Sequence, residues 1–164
     1  MSALFTAAEI VTMAVEAEKN GLAFYQALAS RTKDDDVRNI FTFLAEDEAE
    51  HTNTFQTLLA DLSPIDMRHT DEAEYHNYLN AFISTRLFTP DVNIDELVES
   101  ITSDIEATNL AIRTEKEAIL FYYELREQVR DEGRENIDKI IQEEKGHLSR
   151  LAQLKVALVK KHQA

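Results

Sequence analysis

Two copies of one short pattern contain the residues of this sequence that are best suited to bind metal ions. A glutamate and a tyrosine lie seven positions apart at Glu18 and Tyr25, and again at Glu115 and Tyr122. Each pair is followed about thirty residues later by the pattern Glu-x-x-His. These later pairs are Glu48 with His51 and Glu144 with His147. Four carboxylates and two imidazoles can surround two adjacent metal ions, so the spacing predicts a two-metal site.

The repeat includes more than the metal-binding residue types. Six residues recur at an offset of 97, and four recur at an offset of 96. The first set is Ala14, Glu18, Lys19, Phe24, Tyr25 and Leu28, matched by Ala111, Glu115, Lys116, Phe121, Tyr122 and Leu125. The second set is Glu48, His51, Leu58 and Leu62, matched by Glu144, His147, Leu154 and Leu158. Each half of the chain is therefore predicted to be one helical hairpin.

Apolar residues at helical spacing predict an all-α fold in a single domain of residues 1–164. The first hairpin is predicted at about 7–62. Its first helix is expected at 7–31, after a capping box that begins at Thr6. A polar turn follows, and the second helix is expected to end before Ser63.

The second hairpin is predicted at about 104–162, with a turn at 130–133 between its two helices. Residues 63–103 contain both prolines and one expected short helix near 71–85. An up-and-down bundle would need only a short link at this point. The length of the segment therefore favours a crossover that runs along the bundle.

The candidate ligands interrupt apolar stripes and are therefore expected to point into the bundle. Glu18, for example, lies between Ala14 and Leu22 at helical spacing. Burying four ionised glutamates without partners would cost several kcal/mol each, whereas two divalent cations would cancel the four charges. Iron or manganese suits these ligands, and zinc also accepts them. A metal-free structural bundle is the less favoured alternative.

Composition limits the other functions that the chain could have. The 164 residues include no cysteine, which excludes disulfides and Cys-ligated iron centres. The formal net charge of -14 disfavours binding to nucleic acid and to anionic membranes. The sequence has no recognisable secretion signal or membrane-spanning segment, so a cytoplasmic location is expected.

Other polar residues are assigned no metal-binding role from the sequence. The acidic residues Glu46, Asp47 and Glu50 are interpreted as the solvated face of the second helix. His69 and His76 are expected to lie on the surface of the middle segment.

The Glu-x6-Tyr spacing, the two Glu-x-x-His patterns and the long middle connection resemble the rubrerythrin branch of the ferritin-like di-iron superfamily. The resemblance covers essentially the whole chain and implies a ferritin-like four-helix bundle. It also implies two iron ions per chain. Two departures are notable: Ala118 stands where rubrerythrins proper have a further glutamate, and the rubredoxin-like domain of those proteins is not in this sequence.

The resemblance also implies a role for each site residue. It makes Glu18 and Glu115 terminal ligands, Glu48 and Glu144 bridging carboxylates, and His51 and His147 one imidazole for each iron. Tyr25 and Tyr122 become groups that contact the ligands and take part in catalysis.

The function implied by the resemblance is reduction of hydrogen peroxide or dioxygen, with electrons from an external donor such as a rubredoxin-like protein. A homodimer is the expected assembly. Two alternatives stay open from the sequence: a ferroxidase or iron-storage protein of the ferritin type, and a di-iron oxygenase that acts on an organic substrate.

Overall fold

The computed structural model describes residues 6–62, 73–89, 91–129 and 131–163. Six helices and no strand lie within these residues, which confirms the all-α prediction. The helices are α1 (Ala7–Arg31), α2 (Asp35–Asp61), α3 (Ala73–Thr85), α4 (Ile94–Ser100), α5 (Asp104–Gln128) and α6 (Asp131–Gln163). We call α1 with α2 the first hairpin, and α5 with α6 the second hairpin.

Side-chain caps determine where the first two helices begin. The Thr6 hydroxyl accepts a hydrogen bond from the backbone N–H of Glu9 at 3.2 Å, and the Glu9 carboxylate accepts one from the Thr6 N–H at 2.7 Å. This is the predicted capping box. Asp34 caps α2 by accepting hydrogen bonds from the N–H groups of Asp36 and Val37. The predicted bounds of α1 are confirmed.

Two contacts at one end of the bundle establish the crossover. The hydroxyl of Thr32, after the end of α1, donates to Asp104 at the start of α5 over 3.0 Å. At the same end, Lys161 near the end of α6 donates to Asp34 over 2.7 Å. Because α2 starts at this end and finishes at the other, the chain must return along the bundle before α5 begins. The crossover prediction is therefore confirmed.

The crossover contains more helix than the sequence predicted. The expected short helix is α3, and residues 71 and 72 of its predicted range lie outside the described residues. The helix α4 was not predicted. Its cap is the side chain of Asn93, which accepts a hydrogen bond from the N–H of Glu96. Val98 is buried against the bundle, and the guanidinium of Arg31 donates to its carbonyl.

The predicted turn at 130–133 is too long. The structure starts α6 at Asp131, so Gly133 lies within the first turn of that helix. Gly133 has no positive φ and is not a turn glycine. The Nε of Arg134 donates a hydrogen bond to the carbonyl of Val129 over 3.0 Å. This bond satisfies a backbone acceptor at the end of α5.

Two buried apolar clusters lie on either side of the candidate ligands along the bundle. One cluster includes Phe24 and Phe41, and the other includes Phe55 and Phe121. Each fully buried phenylalanine contributes roughly 2 kcal/mol relative to an exposed one. These clusters hold the four helices together around a polar layer.

No helix in the described parts of the chain is both long enough and apolar enough to cross a membrane.

Candidate metal centre

All six predicted ligands meet in the polar layer between the two apolar clusters. Each is at most 6% exposed. They form two overlapping groups of four, and the potential ligand atoms within each group lie within 4.8 Å of one another. One group is Glu18, Glu48, His51 and Glu144, and the other is Glu48, Glu115, Glu144 and His147. Because Glu48 and Glu144 belong to both groups, their carboxylates lie between two potential metal positions.

Four polar atoms of this cluster are buried with no hydrogen-bond partner among the described residues. They are Glu18 Oε2, His51 Nδ1, Glu115 Oε2 and Glu144 Oε1. The His51 and Glu144 atoms are 3.0 Å apart, but they are not aligned for a hydrogen bond. A buried polar atom without a partner costs about 1–3 kcal/mol, and more when charged. Two cations would give these atoms the partners that they lack, so the residues fit a di-metal centre.

Each histidine is held by a carboxylate from the opposite hairpin. His147 Nε2 lies 2.8 Å from Asp47 Oδ2, and His51 Nε2 lies 2.9 Å from Glu143 Oε2. The Nδ1 atoms of both rings face the cluster, where His147 Nδ1 is 3.1 Å from Glu144. A carboxylate on the outer ring nitrogen fixes the orientation of a metal-binding histidine and makes the inner nitrogen a better ligand.

The contacts of these two outer carboxylates with the histidines were not predicted from the sequence. Asp47 was predicted to lie on a solvated face, which is wrong because its side chain is 28% exposed and contacts His147. The same prediction is confirmed for Glu46 and Glu50, which are exposed. The repeat contains the missing signal: Asp47 and Glu143 each precede a Glu-x-x-His glutamate and match at the offset of 96.

The two predicted tyrosines also contact the opposite hairpin. The buried hydroxyl of Tyr25 donates to Glu115 Oε1, and that of Tyr122 donates to Glu18 Oε1. Burial raises the pKa of both tyrosines well above the usual value, and the nearby carboxylates raise it further. Both hydroxyls therefore remain protonated and act as hydrogen-bond donors.

The crowding of carboxylates strongly affects their ionisation in the metal-free protein. Burial raises the pKa of Glu48 and Glu115, and each is raised further by a neighbouring carboxylate, Glu18 or Glu144 respectively. Burial alone would lower the pKa of His51, but the close carboxylates of Glu144 and Glu18 outweigh it and raise the pKa to about 11. The cluster thus attracts protons when no other cation is present.

A small cleft reaches the cluster from the side of α1 and α5. Its volume is about 30 Å³, and its walls include Gly21, Glu48, Arg86, Thr114, Phe121 and Tyr122. Gly21 leaves room for the Glu48 carboxylate, because a Cβ atom at this position would lie 2.8 Å from Glu48 Oε2. Ala118, where the sequence departs from the rubrerythrin pattern, also lines the cleft.

The family model for rubrerythrin matches residues 9–155 of the chain. The chain belongs to the rubrerythrin family. This membership and the buried carboxylate and histidine cluster together fit a di-iron protein.

Solved structures share the fold of this rubrerythrin-family chain. A protein from Thermotoga maritima, described as ferritin-like and diiron-carboxylate, has a TM-score of 0.74 and 24% sequence identity over 92% of this chain and 95% of its own. A hypothetical protein from Pyrococcus furiosus has a TM-score of 0.69 and 20% identity over 95% and 92% of the two chains. No curated protein sequence matches the chain.

The middle segment contains two further histidines, His69 and His76. His69 lies outside the described residues, and so does the side chain of His76. Their predicted surface positions stay predictions.

Proposed function

We propose that this protein reduces hydrogen peroxide to water at a di-iron centre, using electrons from an external donor. The observation that carries the proposal is the pair of four-residue groups that share two carboxylates. In this proposal Glu18 and His51 would hold one iron, and Glu115 and His147 would hold the other. Glu48 and Glu144, which belong to both groups, would be shared by the two irons.

The reaction consumes two electrons and two protons for each peroxide and yields two water molecules. When bound, two ferrous ions would supply the two electrons, and the external donor would restore them. The contribution of the chain is to hold six ligands in a dry layer and to keep their orientation through Asp47 and Glu143. Tyr25 and Tyr122 donate hydrogen bonds to Oε1 of Glu115 and Glu18, and the Oε2 atoms of the same carboxylates have no hydrogen-bond partner among the described residues.

The size of the cleft favours a small oxidant over an organic substrate. A water molecule needs about 10–15 Å³ of such volume, so the cleft of about 30 Å³ accommodates one peroxide molecule. Pockets for organic ligands typically have about 300–1,000 Å³. The cleft therefore supports the peroxidase over the oxygenase alternative.

The first test is to load the purified protein anaerobically with ferrous iron and to count the bound metal ions. Peroxide and dioxygen are then added in separate runs while the absorption spectrum is followed. Two irons per chain and faster oxidation by peroxide are expected. Faster oxidation by dioxygen, or uptake far beyond two irons, would favour an oxidase or a ferroxidase instead.

Variants show whether the reaction depends on the proposed ligands. Glu48→Ala and His147→Ala should each abolish iron-dependent peroxide consumption. Glu50→Ala is the matched control, because Glu50 is an exposed glutamate on the same helix as Glu48. An unchanged rate in either ligand variant would contradict the assignment.

A further inference from the structure

Arg86 is a cationic side chain that lines the cleft but takes no part in the six-residue cluster. It follows α3 directly, and its guanidinium carbon lies 4.6 Å from the centroid of the Phe121 ring. Its Nε is buried and has no hydrogen-bond partner among the described residues. An arginine stays charged in a protein, so this donor is available to a ligand in the cleft.

The backbone on both sides of Arg86 is fixed to α5. Arg113 Nη2 donates to the carbonyl of Thr85 over 3.3 Å, and the N–H of Leu87 donates to Glu117 Oε2 over 2.7 Å. Arg113 and Glu117 also bind each other over 2.8 Å. Arg86 is therefore held from both sides by a pair on α5, which limits the positions that its side chain can reach.

Arg86 also gives the cleft a positive charge that its other lining residues lack. It is the one basic side chain among the described residues that line the cleft, and Glu48, Glu115 and Glu117 line the same cleft. Glu117 is already paired with Arg113 over 2.8 Å. Two divalent ions would neutralise the four glutamates of the cluster, which leaves the guanidinium as a net positive charge beside the centre. A cation in a partly dry cleft attracts small anions strongly.

We propose that Arg86 is the anion-binding residue of this cleft and positions the small oxidant next to the metal centre. This inference rests on the proposed function for the identity of the oxidant, hydrogen peroxide, which gains negative charge as it loses a proton. The guanidinium donates hydrogen bonds to the oxygen that carries this charge. Small monovalent anions such as azide occupy the same position and compete with peroxide.

The binding test uses azide and the protein loaded with two zinc ions, so that it does not depend on redox activity. Titration calorimetry measures the azide dissociation constant for the wild type and for Arg86→Gln. Loss of a charge-assisted hydrogen bond is expected to weaken azide binding by about tenfold or more. Arg86→Lys, which keeps the charge but not the planar donor group, should lie between the two.

Arg150→Gln is the matched control. Arg150 also stacks on an aromatic ring, with its guanidinium carbon 4.6 Å from the centroid of Phe43, but it is exposed and does not line the cleft. It should bind azide as the wild type does. The zinc content and thermal midpoint of each variant are measured in parallel, so that a folding defect is distinguished from loss of the anion site.

Equal azide affinity in Arg86→Gln and wild type would overturn this inference, and so would absence of azide binding to the wild type. With iron, Arg86→Gln should raise the KM for peroxide more than it lowers kcat. If azide binding depends on Arg86 but the iron-loaded protein does not reduce peroxide, the proposed function is wrong and the anion site stands. If peroxide is reduced but azide binding does not depend on Arg86, the anion site is wrong and the proposed function stands.

Discussion

His147 Nε2 of the second hairpin lies 2.8 Å from Asp47 Oδ2 of the first. The reciprocal contact joins His51 of the first hairpin to Glu143 of the second. The two buried tyrosine hydroxyls also cross between hairpins. Neither hairpin alone therefore orients its own candidate ligands, and the centre is complete only after the hairpins have packed together.

This relationship predicts that Asp47→Ala weakens metal binding although Asp47 is not a proposed ligand. Without the carboxylate, the His147 ring loses the partner that fixes its orientation. The affinity for one of the two metal ions should fall by about 10–100-fold. Competitive titration with a chelator measures this change. Glu46→Ala, which removes the exposed neighbouring carboxylate, should leave both affinities unchanged.

Gly21→Ala tests whether the small residue beside Glu48 is required by the metal centre and not by the fold. The added Cβ would lie 2.8 Å from Glu48 Oε2, and the flexible carboxylate can move away. The metal-free protein should therefore keep its stability, because alanine favours the helix by up to about 1 kcal/mol. Metal stoichiometry or affinity should fall, since Glu48 is displaced from its position between the two groups.

Gly146→Ala is the control for this substitution, because a Cβ atom there meets nothing within 4 Å. It should gain stability with no loss of metal binding. Thermal melts and metal counts on both variants provide the comparison. Full metal binding in Gly21→Ala would show that the position of Glu48 is not critical.

The metal-free protein should lose stability as the pH rises from about 6.5 to 10. His51 and His147 have a raised pKa, about 11 and about 10, compared with 6.5 for an ordinary histidine. Burial opposes these increases, but the neighbouring carboxylates outweigh it. A group whose pKa is higher in the folded state than in the unfolded state stabilises the fold fully at pH values below its unfolded pKa. This contribution is lost as the pH rises through the folded pKa.

The buried glutamates act in the same direction in this pH range. Burial raises the pKa of Glu48 and Glu115, so ionising them in the folded state costs free energy as the pH rises. Glu144 has a lowered pKa, so its ionisation affects stability only at pH values below the range in which an ordinary glutamate titrates. Denaturant unfolding at pH 6.5 and pH 9 in the presence of chelator measures the trend.

Zinc-loaded protein is the comparison, because metal binding releases protons and is favoured by higher pH. It should show a smaller loss of stability over the same range, or a gain. A metal-free protein that becomes more stable toward pH 9 would contradict the expected ionisation of the cluster.

Much of this architecture could be predicted from the sequence because the features that determine it are local or repeated. The bounds of α1 follow from the capping box at Thr6 and from apolar residues that recur at helical spacing along the helix. The six residues that meet in the polar layer were found because they occur twice with nearly the same spacing. A duplicated pattern separates these glutamates from the many solvated ones.

The remaining features depend on packing between distant segments. Asp47 resembles an ordinary surface acid in the sequence, and its role appears only when α2 and α6 lie side by side. Arg86 lies in the crossover, which does not repeat, and its position depends on the Arg113 and Glu117 pair on α5. The helix α4 is short, so its apolar residues give too few turns for a periodic signal.

Tyr122→Phe should destabilise the protein without removing the metal ions. The substitution deletes the hydroxyl that donates to Glu18 and leaves that carboxylate oxygen buried without a donor, at a cost of about 1–3 kcal/mol. Tyr25→Phe removes the equivalent donor to Glu115 and should have a similar effect. Tyr123→Phe is the control, because Tyr123 is 43% exposed and its stability change should be close to zero. Denaturant unfolding of the zinc-loaded variants measures the cost, and metal counts show whether both ions are retained. Loss of metal from Tyr122→Phe would mean that the hydroxyl is needed to keep Glu18 in place as a ligand.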